Sequence, residues 1–289
     1  MLIYFLERIR KLLKSIGKKE ELLNNFINYK KFKYIEKDFD LNLDEFKSSI
    51  DIKEPIKIIA NITFYFNENK VNNLSKVCES LNQISNNIEI YIFVNKVTDL
   101  QIQKLEEKLS KDVKINMISE VLHNRLLPWY HLNFVKKLYE KRQDITHFIY
   151  LEDDILINKI NFNYWVNARK ILKKFNLIPG FIRTEINNLD NEIYAIDFVK
   201  KDKFNLLPKV KILKDYYFIN HSYPYQGMYL YDRDLMKEHL YGPSSNPDCG
   251  HGAFDTNYID KRMINLDLMA KANIGLTYLN KPKGFFSRI

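Results

Sequence analysis

Cysteine is almost missing from this sequence. Its 289 residues include only Cys78 and Cys249, and no cysteine pair sits at metal-ligand spacing. A disulfide framework and a zinc–cysteine site are therefore excluded as organising principles. Glycine and proline are also sparse, at eight each, too few for collagen-like or low-complexity structure. No apolar run approaches the roughly 20 residues that a membrane-spanning helix requires. The opening Met1-Leu2-Ile3 is not followed by a small-residue cleavage site, so no secretory signal is expected.

What remains is the composition of a folded protein. Apolar residues at 46% and charged residues at 28% place the chain among globular sequences and away from disordered ones. The length allows one large domain or two small ones with an ample core. Lys and Arg outnumber Asp and Glu by 45 to 36, a net charge of +9. The excess is densest from Arg8 through Lys14 and on to Lys18-Lys19. There Leu2, Phe5, Leu6, Ile9, Leu12, Leu13 and Ile16 recur at helical spacing, with Arg8, Lys11 and Lys14 beside the stripe. Such a helix either lies on an anionic membrane surface through residues 1–19 or packs on the protein with a solvated basic face. Nucleic acid is not an expected partner, because the other basic residues are scattered and no binding motif accompanies them.

Strands and helices alternate along the chain. Residues 1–50 read as a polar, helical N-terminal extension with breaks near Gly17 and over 38–44. The apolar run 56–66, after Pro55, reads as a buried strand. Val71, Leu74, Val77, Cys78, Leu81 and Ile84 then mark an amphipathic helix over 72–84. A second strand covers 88–94 and ends at Asn95, a helix spans about 98–110, and a third strand covers 113–118. A helix near 128–142 leads into a fourth strand, 147–151. This rhythm predicts an α/β fold with a mostly parallel, doubly wound sheet, whose ligands bind at the carboxyl ends of the strands.

The fourth strand runs directly into Glu152-Asp153-Asp154. Three carboxylates beyond an apolar strand are costly unless a cation meets them. Mg²⁺ or Mn²⁺ favours carboxylate oxygens and commonly bridges a carboxylate to a substrate phosphate. A metal–diphosphate site is one reading; a solvated acidic turn, or acids favoured by a helix N-terminus, is the other.

In these features the chain resembles nucleotide-sugar glycosyltransferases of the GT-A fold. The resemblance covers roughly residues 55–280 and is most specific in the acidic segment. Such enzymes carry a "DxD" motif after an apolar strand, here Tyr150-Leu151-Glu152-Asp153-Asp154, with Glu152 in the place usually held by Asp. The resemblance implies a catalytic domain over 51–289 and Mn²⁺ or Mg²⁺ as cofactor. It gives Asp154 the role of metal ligand, sets Glu152 near ribose or metal-bound water, and counts Asp153 with Glu152 among the donor-binding residues. It implies a nucleotide-sugar donor whose base and ribose lie against the first two strand ends, at Thr63, Tyr65 and Asn95. Arg125 and Arg183 are candidates for the donor phosphates, because a guanidinium pairs bidentately with phosphate; Arg183, read as the end of another strand, has a salt bridge to Glu185 or to the acidic triplet as its alternative. Tyr225-Gln226-Gly227 resembles the segment lining the acceptor side, or else is a strand with a bulge glycine. Asp255, ahead of an apparent helix, matches the general base of inverting members, or is a helix N-cap. His251, between Gly250 and Gly252, is a candidate second metal ligand. His131, at the start of a helix, either serves the core or approaches the substrates.

By this resemblance the acceptor is a glycan or glycolipid, and the product a bacterial surface glycan such as capsule or lipopolysaccharide. The expected location is cytoplasmic, peripheral on the inner face of the membrane. Two other classes fit parts of the sequence. A nucleotidyltransferase of sugar phosphates would share the α/β fold and acidic metal ligands, but the loop Asn67-Glu68-Asn69-Lys70 lacks the glycines usual there. A non-enzymatic membrane or polyanion-binding protein would use the +9 charge but leaves the acidic triplet without a purpose.

Overall fold

The computed structural model describes residues 55–118, 121, 124–186, 191–195, 209–213, 216–220, 227–242, 245 and 272. The expected N-terminal helical extension with its amphipathic stripe, and the helix expected after Asp255, lie outside the described residues.

A five-stranded sheet holds the core together. Its strands are β1 (Ile58–Phe64), β2 (Ile88–Asn95), β3 (Val113–Ile118), β4 (His147–Glu152) and β9 (Met228–Asp232), in the spatial order β3-β2-β1-β4-β9. The first four are mutually parallel, and β9 runs antiparallel to β4. Every residue of β1 is buried, as expected of a central strand covered on both faces. Exposure returns in β3, at the sheet edge. This is the Rossmann-like, mostly parallel architecture that the sequence predicts.

Helices flank the sheet. In α1 (Val71–Asn82), Val71, Leu74, Val77, Cys78 and Leu81 are buried, the stripe seen in the sequence. α2 (Asp99–Lys108) and α4 (Lys159–Leu172) each begin with a capping box, Thr98 with Gln101 and Asn158 with Asn161. α3 (His131–Lys141) starts later than the sequence suggests, because Pro128 belongs to a preceding 3₁₀ segment, Asn124–Trp129. α5 (Arg233–Tyr241) is capped by Asp232, whose carboxylate accepts from Leu235 N at 2.8 Å. Two small hairpins complete the described fold, β5 (Thr184–Ile186) with β6 (Ile193–Ala195), and β7 (Lys209–Leu213) with β8 (Tyr216–Ile219). None of the described helices is long and apolar enough to cross a membrane.

Strand order matters for the site. The chain lays β1, β2 and β3 outward in one direction, then returns to place β4 on the other side of β1. The order therefore reverses between β1 and β4, and the crevice beyond their carboxyl ends is where open sheets of this kind bind ligands.

Candidate active site

Thr63 and Glu152 face each other in the β1–β4 register, at the carboxyl ends of both strands. Glu152 is thus the last residue of β4 rather than the first beyond it, and Asp153-Asp154 form the turn that follows. Three contacts hold that turn. Glu152 N donates to the Gly227 carbonyl at 3.0 Å, Ile155 N donates to the Glu152 carbonyl at 3.3 Å, and Ser80 Oγ of α1 donates to the Ile157 carbonyl at 2.6 Å. The buried Ile157 anchors the loop before Asn158 caps α4.

The two aspartates differ in setting. The Asp153 side chain is 14% exposed and that of Asp154 53%. Lys70, at the end of the β1–α1 loop, places Nζ 3.4 Å from Asp153 Oδ2 and 3.9 Å from Asp154 Oδ2. Asp153 Oδ2 is itself buried and accepts no hydrogen bond, so the Lys70 contact is an ion pair without hydrogen-bond geometry. Burial raises the Asp153 carboxyl above its ordinary range; Lys70 pulls it down and Asp154 pushes it up.

Other predicted donor-site residues gather at the same sheet edge. Thr63 is buried and its Oγ1 accepts from the Tyr150 hydroxyl at 3.0 Å. Asn95 ends β2, and its Oδ1 accepts from Phe66 N at 2.7 Å, which ties the β1–α1 loop to the neighbouring strand. Tyr65 is 44% exposed in that loop. Gly227 leads into β9 with φ +65°, and a Cβ there would lie 3.2 Å from Glu152 Oε2 and 3.1 Å from Ile155 side-chain carbons. The glycine is thus required by close approach to the acidic motif as well as by its left-handed backbone.

Arg125 has its backbone in the 3₁₀ segment before α3. Arg183 precedes β5 instead of ending a strand, a correction to the sequence reading. Pro179-Gly180 interrupts extended pairing there, and Phe181 packs on Tyr164 with ring centroids 5.9 Å apart. Tyr225, Gln226, His251 and Asp255 lie outside the described residues.

His131 is a core residue. It is fully buried, with Nδ1 2.6 Å from the Pro128 carbonyl and Nε2 2.6 Å from the Tyr229 hydroxyl. The carbonyl only accepts, so Nδ1 carries the proton and Nε2 accepts from Tyr229. The ring stacks on Tyr150 at 4.4 Å. Tyr150 therefore links this buried stack to Thr63, a role that its place in an apolar strand did not reveal. A cavity of about 250 Å³ lies between the end of α4 and the β7–β8 hairpin, lined by Tyr164, Phe181, Val210, Phe218 and Asn220 among others, and it shares no residue with the acidic site.

Fold and site together define an open α/β sheet with an acidic turn at its switch point. No protein-family model matches the chain, and no curated protein is significantly similar to it. Among solved structures it is similar to a 4-diphosphocytidyl-2C-methyl-D-erythritol synthase from Anaerococcus prevotii, at 13% identity and TM-score 0.33, over 64% of this chain and 74% of that one. It is similar to residues 1–349 of S. aureus TarS at 14% identity and TM-score 0.33, over 63% and 49% of the two chains. For a longer S. aureus TarS chain the figures are 15%, 0.33, 64% and 30%. The chain thus spans about half of the shorter TarS chain and under a third of the longer. Likeness this distant assigns no activity.

Proposed function

We propose that this chain is a metal-dependent glycosyltransferase that moves a sugar from a nucleotide-sugar donor to a hydroxyl of a glycan or glycolipid acceptor. One observation carries the reading. Glu152 ends β4 beside β1 and Asp153-Asp154 form the turn beyond it, at the reversal of strand order where such sheets bind ligands.

Nucleotide base and ribose would lie over Thr63, Tyr65 and Asn95, with Glu152 near the ribose. Arg125 and Arg183 are the proposed partners of the donor phosphates. The acidic turn suits Mn²⁺ or Mg²⁺. Its donors are hard carboxylate oxygens, and Asp153 Oδ2 is buried without a hydrogen bond. Among the described residues no three His, Cys, Asp or Glu side chains are grouped to hold a metal. By the resemblance Asp154 would hold the ion, with His251 as a second candidate, and the donor's phosphate oxygens and water would supply further ligands. Once bound, such a cation neutralises charge on a leaving diphosphate.

The protein's own part is positioning and proton transfer. Tyr225, Gln226 and Gly227 would line the acceptor side; of the three, Gly227 is held against the acidic motif by the hydrogen bond from Glu152. The acceptor hydroxyl would attack the anomeric carbon through an oxocarbenium-like transition state. In an inverting reaction Asp255 would take the hydroxyl proton; in a retaining one it would bind the acceptor. Residues 51–289 would form the catalytic domain. Residues 1–50 would be a helical extension whose basic face meets the inner surface of the cytoplasmic membrane, and the product would be a bacterial surface glycan such as capsule or lipopolysaccharide.

A thermal-shift screen of nucleotide sugars with and without Mn²⁺ tests the reading, because a specific ligand raises the melting temperature by mass action. One donor should stabilise the protein, more so with Mn²⁺. Release of a nucleoside diphosphate upon turnover would mark glycosyl transfer, whereas nucleotidyl transfer releases pyrophosphate. Stabilisation by no donor in either condition would sink the proposal.

A further inference from the structure

Lys70 has no part in the reading so far, yet the fold fixes where it emerges. Phe66 N is bound to Asn95 Oδ1 at 2.7 Å, Asn69 N to Asn67 Oδ1 at 3.0 Å, and Lys70 N to the Asn67 carbonyl at 2.9 Å. This braced loop brings Nζ between Asp153 and Asp154, at 3.4 and 3.9 Å. The lysine side chain keeps 44% of its exposure, against 14% for Asp153. At 3.4 Å its contact with Asp153 is long for a charged hydrogen bond, so the ammonium is held loosely, on a flexible four-carbon stem. A divalent cation bound to either aspartate would meet the ammonium within a few ångströms, and the two like charges repel.

We infer that Lys70 is a positioning residue of the donor site, competing with the divalent cation for Asp153 and Asp154 and, once displaced, turning its ammonium to the donor's diphosphate. The inference rests on the glycosyltransferase reading above. It makes metal and donor binding mutually supportive. Lys70 lowers the affinity of the acids for metal alone, and the diphosphate gives the displaced ammonium a new partner. Such coupling is reciprocal, so the metal favours the donor by the same factor. Lys70 also lies at the N-cap of α1, whose amide dipoles add positive potential on the same side.

The test uses the full chain, with Mn²⁺ and a panel of nucleoside diphosphates as probes, titrated by calorimetry and by the free-Mn²⁺ paramagnetic resonance signal. Lys70→Gln should tighten Mn²⁺ binding in the absence of nucleotide by roughly tenfold, as removal of a unit charge a few ångströms away in a largely aqueous dielectric implies. The same variant should weaken binding of the preferred diphosphate at saturating Mn²⁺. Lys70→Arg keeps the charge and should stay near the parent in both. A merely structural lysine would leave the two affinities unchanged or move both in one direction, and either result overturns the inference. If the parent binds diphosphate with Mn²⁺ but Lys70→Gln leaves Mn²⁺ affinity unaltered, this inference falls and the glycosyltransferase reading stands. If the parent binds neither Mn²⁺ nor any diphosphate, both fall.

Discussion

The backbone N–H of Glu152 donates to the carbonyl of Gly227 at 3.0 Å, and the missing side chain of Gly227 leaves the space into which the Glu152 carboxylate fits. One residue ends the parallel strand β4, and the other immediately precedes the antiparallel strand β9. Their contact sets the acidic motif against Gly227, the described residue of the proposed acceptor segment.

Gly227→Ala should therefore hurt twice. At φ +65° an L-residue sits in the left-handed region, at a cost of about 1–2 kcal/mol. The added Cβ also crowds Glu152 Oε2 and Ile155. Urea unfolding should report a loss of that size, with donor binding weakened as Glu152 is pushed aside. An alanine variant as stable as the parent would show that the backbone relaxes and that the glycine is not required.

Asp154→Asn should act on function and spare the fold. The side chain is half exposed and its described ion pair, with Lys70 at 3.9 Å, is loose, and exposed pairs of this kind contribute little to stability. The melting temperature should stay near that of the parent. Mn²⁺-dependent donor binding and sugar transfer should be lost. Full transfer by the Asn variant with Mn²⁺ present would remove Asp154 from the site.

The strands were legible in the sequence because burial on both faces leaves continuous apolar runs. β3 falls at 113–118 as expected, and β1, β2 and β4 differ from expectation by a residue or two at their ends. The convergence of Thr63, Asn95 and Glu152 at one edge follows from parallel strands read in register. What the sequence hides is distant in the chain. Nothing local announces that Lys70 reaches Asp153, or that Tyr150 donates to Thr63 from within an apolar strand. Arg183 was misplaced for a local reason, because an apolar run containing Pro179-Gly180 packs Phe181 inward without entering a ladder.

Arg233 is another residue whose importance is visible only in three dimensions. Its Nη1 donates to the carbonyls of Arg142 and Ile145 at 3.0 and 3.1 Å, and its Nη2 to the Tyr139 carbonyl at 2.9 Å and Gln143 Oε1 at 3.0 Å. The guanidinium also lies 4.2 Å from the Tyr139 ring centroid. It thus satisfies the Tyr139 and Arg142 carbonyls at the end of α3 and the Ile145 carbonyl in the turn before β4. A lysine keeps the charge but cannot fork among four acceptors. Arg233→Lys should cost roughly 1–3 kcal/mol, the scale of hydrogen bonds from a charged donor. Chemical denaturation measures it, and a loss below a few tenths of a kcal/mol would mean that water replaces the guanidinium without penalty.

The last prediction concerns pH and the two buried histidines, His131 and His239. Burial pushes both down to about 3, with the backbone bond to Pro128 opposing the shift in His131 and the neighbouring His131 adding to it in His239. Each is neutral when folded and titrates near 6.5 when unfolded. Their contribution is fully present above pH 6.5 and is lost as the pH falls toward 3, because the unfolded chain binds protons that the folded one refuses. Between pH 7 and 5 each should remove roughly 2 kcal/mol of stability. The Asp153 carboxyl, raised by burial, runs the other way, since a folded state that holds its proton more tightly gains stability as the pH falls. Glu89, where burial opposes hydrogen bonds from Tyr91, Arg142 and Lys114 that together hold it at about 2, acts only as the pH falls from about 4.5 toward 2. Urea melts at pH 7, 6 and 5 should show the decline, and His239→Gln, which cannot titrate, should shrink it. Tyr229 and Tyr231 rings flank His239, with centroids 5.4 and 5.7 Å away, so the substitution will lower stability at every pH. The slope, not the level, is the readout. A profile equally steep in parent and variant would assign the decline to other groups, and a flat parent profile would mean that water reaches both rings in the folded protein.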